Sequence, residues 1–236
     1  MILFYSPDLN ETHTKFSFNK EESHHITRVL RKKNGDNLCL TNGRGWQFDA
    51  EITAVFSKSC EVKILKHKFT EPVKHNLHIA IAPTKMNDRF EWFLEKATEI
   101  GIQSITPLIC ERSERKVIKL ERMEKVIQSG MKQSFQFYLP KLEAPKSFTE
   151  FINSDHATQK FIAHCEDINK QQLFKAIKPK SDYTILIGPE GDFTTQEIEL
   201  ALASNYTPVS LGQTRLRTET AGVVACHTIN LINDDF

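Results

Sequence analysis

Two short apolar strands near the carboxyl end of the sequence each stop at a glycine bend and lead into a helix. The first, Tyr183 to Ile187, breaks at Gly188 to Gly191, and the second, Pro208 to Leu211, bends at Gly212 ahead of a hydroxyl-rich helix start. Glycines let main chain approach a ligand closely, and helix starts leave N–H donors free. We therefore expect a small-molecule site where the two bends meet at the carboxyl edge of a sheet.

The ordinary alternative is that these bends only connect strands to helices, as most such turns do. Concentration favours a site, since four of the nine glycines lie in the last quarter of the chain: Gly188, Gly191, Gly212 and Gly222.

Upstream of the bends, strands and helices alternate from Leu77 onward. Alternation of this kind predicts an α/β domain with a mainly parallel sheet and helices on both faces. The expected strands are Leu77 to Ala82, Ile105 to Ile109 and Phe161 to Ala163, and the expected helices are Asp88 to Ile100, ended by Gly101, Leu120 to Ser134, and one capped by Thr194 with Glu197.

The first 70 residues have a different pattern, mainly β, with Asn42-Gly43 as a hairpin signal and a short helix capped by Ser23. A polar, proline-containing stretch, Lys66 to Asn76, marks the boundary. A cluster of cations at the end of the short helix would suit an RNA backbone, and it equally suits a solvated helix terminus. Its members are Arg28, Arg31, Lys32 and Lys33.

Composition narrows the class of protein. The chain has 236 residues, 39% hydrophobic and 26% charged, with a net charge of +1, and it lacks an apolar run of the roughly 18 residues a membrane helix needs. The first eight residues lack the pattern of a signal peptide, so a cytoplasmic protein is expected. Five scattered cysteines without a Cys-x-x-Cys pair predict reduced thiols, and the histidine spacings predict no metal site. The motifs of P-loop, dinucleotide and serine-hydrolase sites are absent from the sequence.

At the two bends, Leu186 to Phe193 (LIGPEGDF), Leu211-Gly212 and Leu216 to Ala221 (LRTETA) together resemble the signature of the RsmE family. That family comprises 16S rRNA uridine N3 methyltransferases of the SPOUT superfamily. Shorter matches in the same order, such as Glu95 to Gly101 (EKATEIG), extend the resemblance over nearly the whole chain. Asp192 departs from the pattern, because the family usually has a second glycine there.

The resemblance implies a PUA-like RNA-binding β-barrel over residues 1–70 and a SPOUT methyltransferase domain over 74–236. It also implies a trefoil knot near the carboxyl end, a homodimer, S-adenosylmethionine as methyl donor, and 16S rRNA of the small ribosomal subunit as partner. The cofactor-binding residues it indicates are Gly188, Glu190, Gly191, Leu211, Gly212, Leu216, Thr218 and Ala221.

Two charged residues of the second motif are candidates for catalysis. Arg217 is suited to stabilise negative charge on the uracil carbonyls or to hold a phosphate, and Glu219 to accept a proton or orient a donor. Glu190 is an equal candidate for the proton acceptor. The alternative for Arg217 is a helix-start arginine paired with a neighbouring carboxylate, and for Glu219 a first-turn residue favoured by the helix dipole.

Three other functions stay open at this stage. A SPOUT methyltransferase with a different RNA substrate would have the same cofactor motif. An RNA-binding relative without catalysis would fail to bind S-adenosylmethionine. A metabolic α/β enzyme would be unaffected by loss of the basic cluster.

Overall fold

The computed structural model describes residues 2–56, 59–166 and 169–234. Its contacts divide the chain into two compact units, Met1–Pro72 with Met131–Leu139, and Val73–Gly130 with Pro140–Phe236. Residues 131–139 therefore group with the first unit. The sequence predicts only a single boundary, between residues 70 and 74, and so does not separate them from the second unit. Among the described residues, no helix has the length and apolar character needed to cross a membrane.

The first unit is built on a five-stranded sheet with the strand order β1-β3-β4-β5-β2. Alternate residues of its long strands are buried, as expected for a sheet with one face on a core. The predicted Asn42-Gly43 hairpin is confirmed between β3 and β4. The elements are β1 (Leu3–Tyr5), β2 (Lys15–Ser17), α1 (Lys20–His24), a π-helical turn (His25–Val29), β3 (Asn37–Thr41), β4 (Trp46–Val55) and β5 (Cys60–Phe69).

Two local predictions for this unit are wrong. The cap of α1 is Asn19, whose side chain accepts a hydrogen bond from the Glu22 N–H at 2.9 Å, whereas Ser23 lies inside the helix and donates to the Phe18 carbonyl. The sequence also predicts that Ile26, Val29 and Leu30 share one face of the short helix, but Val29 is 61% exposed, because the chain continues as a π-helical turn with a different period.

The second unit contains an eight-stranded sheet in which every strand pair is parallel, which confirms the predicted parallel α/β organisation. Its order is β11-β13-β10-β12-β6-β7-β8, with β9 also paired to β7. The elements are β6 (Asn76–Ile81), α2 (Asn87–Ile100), β7 (Ser104–Ile109), α3 (Leu120–Gln133), β8 (Lys141–Leu142), β9 (Lys146–Ser147), α4 (Phe148–Ser154), β10 (Gln159–Ala163), β11 (Gln171–Gln172), α5 (Leu173–Ala176), β12 (Asp182–Ile187), α6 (Thr195–Ala203), β13 (Thr207–Ser210) and α7 (Thr218–Asn233).

Helices cover both faces of this sheet. Side chains of α4 and α6 form one buried cluster with Ile162 and Leu186, whereas α2 and α7 pack together beside β6. The predicted helix ends are confirmed at two places: Gly101 ends α2 in the left-handed conformation at φ +103°, and Thr194 with Glu197 forms a complete capping box on α6. These caps fix where the connections to the sheet begin.

Candidate active site

Three neighbouring strands end at the same level of the sheet. Ala163 of β10 is in register with Ile187 of β12 on one side and with Val209 of β13 on the other. The residues that come next in the chain at this level are therefore His164, Gly188 and Ser210. Both glycine bends that the sequence singled out thus open at one edge, with the end of β10 between them.

The first bend lies closely against the side chain of Phe193, just before α6. A Cβ atom on Gly188 would lie 3.1 Å from two ring carbons of Phe193, which is fully buried, so a larger residue would displace the bend. The Thr218 hydroxyl at the start of α7 donates a hydrogen bond to the Gly188 carbonyl at 3.0 Å. This bond ties the first bend to the helix that follows the second.

Glu190 presents an acceptor at the same bend. Its Oε1 accepts a hydrogen bond from the Lys85 N–H at 2.9 Å, while its Oε2 is buried without a hydrogen-bond partner among the described residues. A buried carboxylate oxygen without a partner is costly and is stabilised when a ligand donor approaches it.

The unusual Asp192 has a structural role in the bend. Its φ of +64° is in the left-handed region, which glycine adopts without strain and aspartate tolerates better than most residues. Its carboxylate accepts hydrogen bonds from the N–H groups of Cys165, at 2.7 Å, and Phe193, at 2.9 Å. The side chain therefore connects the bend to the end of β10.

The second bend requires glycine for its backbone conformation. Gly212 has a φ of +151°, and a Cβ atom built there would meet no other atom within 4 Å. The Ser210 hydroxyl accepts from the Gly212 N–H and donates to the Gly212 carbonyl. Conformation rather than space therefore excludes a β-branched residue at this position.

The bends and the start of α7 enclose a cavity of about 750 Å³, within the range of small-molecule sites. Seven of the eight predicted cofactor residues line it: Gly188, Glu190, Leu211, Gly212, Leu216, Thr218 and Ala221. The exception is Gly191, whose carbonyl accepts instead from Arg112 at 3.1 Å. Arg217 lines the cavity and is exposed, whereas Glu219 is buried outside its lining.

Sequence inspection missed several lining residues, among them Arg89, His164, Lys170 and Arg215. His164 is only 7% exposed, and neither of its ring nitrogens has a hydrogen-bond partner among the described residues. Burial, reinforced by the Lys170 ammonium, lowers the pKa of His164, which is therefore neutral at pH 7. Its position directly after a strand of the predicted sheet was the one available signal.

The predicted RNA-binding cluster lies in the first unit, around the π-helical turn. Arg28, Arg31 and Lys33 are exposed and Lys32 is half-buried. In the part of the chain that the structure describes, these four side chains have no carboxylate within 4.0 Å. They are available to an external anion.

The chain is similar to known protein families and solved structures over most of its length. Residues 70–230 match the RNA methyltransferase domain family, and residues 18–65 match the RNA methyltransferase PUA domain. The chain is 31% identical over 212 residues to the ribosomal RNA small subunit methyltransferase E of Rickettsia conorii, covering 89% of this chain and 86% of the relative. The chain belongs to the RsmE family. It is accordingly an RNA methyltransferase.

Solved structures of similar proteins match nearly the whole length of this chain. A Porphyromonas gingivalis protein described as a probable rRNA-methyltransferase has 40% identity and a TM-score of 0.92, covering 99% of this chain and 98% of the other. The ribosomal RNA small subunit methyltransferase E of Neisseria gonorrhoeae, solved bound to S-adenosyl methionine, has 26% identity and a TM-score of 0.89, covering 100% and 99%.

Proposed function

We propose that this chain transfers a methyl group from S-adenosylmethionine to N3 of one uridine in the 16S rRNA of the small ribosomal subunit. The observation that carries the proposal is the cavity formed by both glycine bends and the start of α7, in a member of the RsmE family. The name of the Rickettsia relative supports the small-subunit substrate, and the ligand of the Neisseria structure supports the cofactor.

The lining of the cavity fits S-adenosylmethionine. Leu211, Leu216 and Ala221 offer an apolar wall for an adenine ring, and the glycine bends bring backbone groups within reach. The unpartnered Oε2 of Glu190 can accept from ribose hydroxyls or from the ammonium group. Cationic side chains at Arg89, Arg215 and Arg217 suit a carboxylate.

Methylation at N3 requires the uracil N3–H bond to break, with the proton passing to water or a base and the electron pair remaining on the ring. S-adenosylmethionine supplies an electrophilic methyl group, and as the N3–CH₃ bond forms the S–CH₃ bond breaks to leave a neutral thioether. Alignment of the reactants contributes up to about 7–11 kcal/mol in ideal cases. Arg217, in the cavity wall at the start of a 16-residue helix, stabilises the anionic uracil oxygens.

For the substrate, we propose that residues 1–70 form a PUA-like barrel whose cluster Arg28, Arg31, Lys32 and Lys33 binds RNA phosphates, and that residues 74–236 form the methyltransferase domain. Replacing the four cations by Gln should lower the slope of log Kd against log salt by up to about 3, from roughly 0.7 per lost contact on single-stranded RNA. An unchanged slope would assign the cluster to the solvated end of the helix.

The finer architecture is also proposed. Segment 211–217 leads from β13, on one side of β10, to α7, which packs on α2 and β6 beyond β12. This crossing supports a trefoil knot. We propose a cytoplasmic homodimer with α3 and α7 as interface elements, and sedimentation equilibrium measures its mass directly.

Nucleoside mass spectrometry tests the reaction. Small ribosomal subunits from cells lacking RsmE activity are incubated with the protein and S-adenosylmethionine, and we expect N3-methyluridine at a single site. Arg217→Ala should lower the yield, and the exposed Lys178→Ala serves as control. If no product forms, a binding assay separates the causes: bound cofactor means a different RNA substrate, and no binding removes the proposed cofactor site.

A further inference from the structure

A buried carboxylate lies at the start of α7 without a full set of partners. Glu219 is 6% exposed, and its Oε2 has no hydrogen-bond partner among the described residues. It is not part of the cavity lining, although its neighbours Thr218 and Ala221 are. A group in this position is poorly placed to take a proton from a substrate in the cavity, because a general base must reach that proton directly or through one water.

Arg89 connects this carboxylate to the cavity. It lies in the first turn of α2, directly before the buried Phe90, and its Nε is 3.9 Å from Oε1 of Glu219. The Arg89 side chain is 41% exposed and lines the cavity, whereas that of Glu219 is 8% exposed. The two residues thus form an ion pair with its acidic end buried and its basic end at the cavity wall.

The geometry leaves part of the guanidinium for another anion. Arginine has five N–H donors in a planar fork, and Glu219 lies near the Nε donor. In the described ranges, no second carboxylate lies within 4.0 Å of Arg89. The Asp88 carboxylate, its closest acidic neighbour in sequence, accepts from the Arg89 backbone N–H at 3.0 Å.

We propose that Arg89 binds an oxygen-bearing anion in the cavity and that Glu219 is the positioning residue that holds Arg89 there. The inference rests on the proposed function, which supplies two anions of this chemistry. One is the uracil ring after loss of the N3 proton, with charge on O2 and O4, and the other is the carboxylate of S-adenosylmethionine. A paired arginine serves either better than a free one, because its side chain is already ordered.

Two probes distinguish the anions. S-adenosylhomocysteine carries an amino-acid end, with its carboxylate and ammonium, that 5′-methylthioadenosine lacks, and of these two groups only the carboxylate can be bound by an arginine. Calorimetry of the Arg89 variant with both ligands therefore tests the carboxylate, and single-turnover methylation of small subunits measures the chemical step. For Arg89→Met, a roughly 10- to 100-fold loss of S-adenosylhomocysteine affinity with unchanged 5′-methylthioadenosine affinity identifies the carboxylate. Unchanged affinity for both ligands with a similar loss in the single-turnover rate constant identifies the uracil anion.

The variant Glu219→Gln tests the positioning role. It should show the same pattern as Arg89→Met with a smaller loss, and its pH–rate profile should keep the wild-type shape. Disappearance of a limb of that profile would instead make Glu219 a base and overturn its positioning role. Arg122→Met is the matched control, since it removes the ion pair between Arg122 of α3 and Glu91 of α2, at 2.6 Å, outside this cavity.

The remaining outcomes are decisive as well. If Arg89→Met keeps the wild-type affinity for S-adenosylhomocysteine and the wild-type single-turnover rate constant, the inference is overturned and the proposed function stays intact. Equal losses in Arg89→Met and Arg122→Met overturn it too, because they show a general effect on α2. A wild-type protein that neither binds S-adenosylhomocysteine nor methylates the subunit overturns the proposed function, and the inference with it.

Discussion

Replacement of Gly222 by alanine tests how closely α7 must approach its neighbours. A Cβ atom at this position would lie 2.6 Å from Cε2 of Phe93 and 2.8 Å from Cδ1 of Ile81. Both side chains are fully buried, so neither can turn out into solvent to make room. In an exposed helix the same substitution would stabilise the protein by about 1 kcal/mol.

The expected net effect follows from these two terms. Overpacking costs about 1–3 kcal/mol, and three atoms closer than 3.0 Å place Gly222 at the upper end. After subtraction of the helix-propensity gain, about 2 kcal/mol of destabilisation remains, or a fall in Tm of roughly 4–8 °C for a domain of this size. Displacement of α7 should also weaken S-adenosylhomocysteine binding, because Thr218 of the same helix holds the Gly188 carbonyl.

Thermal unfolding with and without S-adenosylhomocysteine measures both effects. Gly130→Ala in α3 is the graded comparison, since its Cβ would meet its nearest atoms at 3.3 Å, and we expect a change in Tm near zero. A Gly222→Ala protein as stable as the wild type would refute the reasoning, since it would mean that Phe93 and Ile81 repack without cost.

Three further outcomes are expected. Gly212→Val should abolish S-adenosylhomocysteine binding in calorimetry with a folded circular dichroism spectrum, because valine is strained at φ +151°; retained binding would place the ligand elsewhere. Asp192→Ala should lower the free energy of unfolding in urea by about 2–3 kcal/mol, because the hydrogen bond to the Cys165 N–H is lost. Asp192→Gly should lower it by about 1 kcal/mol less, since glycine is unstrained at this φ, and equal losses would exclude a contribution from backbone strain. Folding lowers the pKa of His164, so the folded state binds its proton only at a lower pH than the unfolded chain does. The free energy of unfolding therefore falls as pH decreases below about 6.5, by at most about 1.4 kcal/mol per pH unit. His164→Asn should flatten this slope in urea titrations between pH 7 and 5, while His78, whose pKa burial also lowers, is present in both proteins and cancels; an unchanged slope would contradict the assignment.

The parts of the fold that local sequence determines were predictable. The left-handed Gly101 and the Thr194–Glu197 capping box depend on neighbouring residues alone, and both are confirmed. The sequence predicts a strand from Cys60 to Leu65, but β5 continues to Phe69, because its polar end pairs with β4, with Trp46 opposite Phe69. Pairing across the sheet is not visible in a periodless stretch such as Lys66 to Asn76.

Part of the candidate site could also be predicted from the sequence. Gly188 and Gly212 were found because a glycine after a strand carries its own signal. Arg89 lies 99 positions before Gly188, on α2, and His164 follows a strand without any glycine. Their places in the cavity wall result from strand order and helix packing, which a short motif does not encode.

The packing of α7 on α2 and β6 also determines when a binding-competent protein exists. The end of α2 at Ile100 and the start of α7 at Thr218 are 118 positions apart in sequence, so this contact closes one of the longest loops in the fold. During synthesis, β6, α2 and β7 emerge well before the cavity can form. A ligand that needs the start of α7 cannot stabilise any intermediate that lacks it. Such a ligand should slow unfolding and leave the rate of folding unchanged.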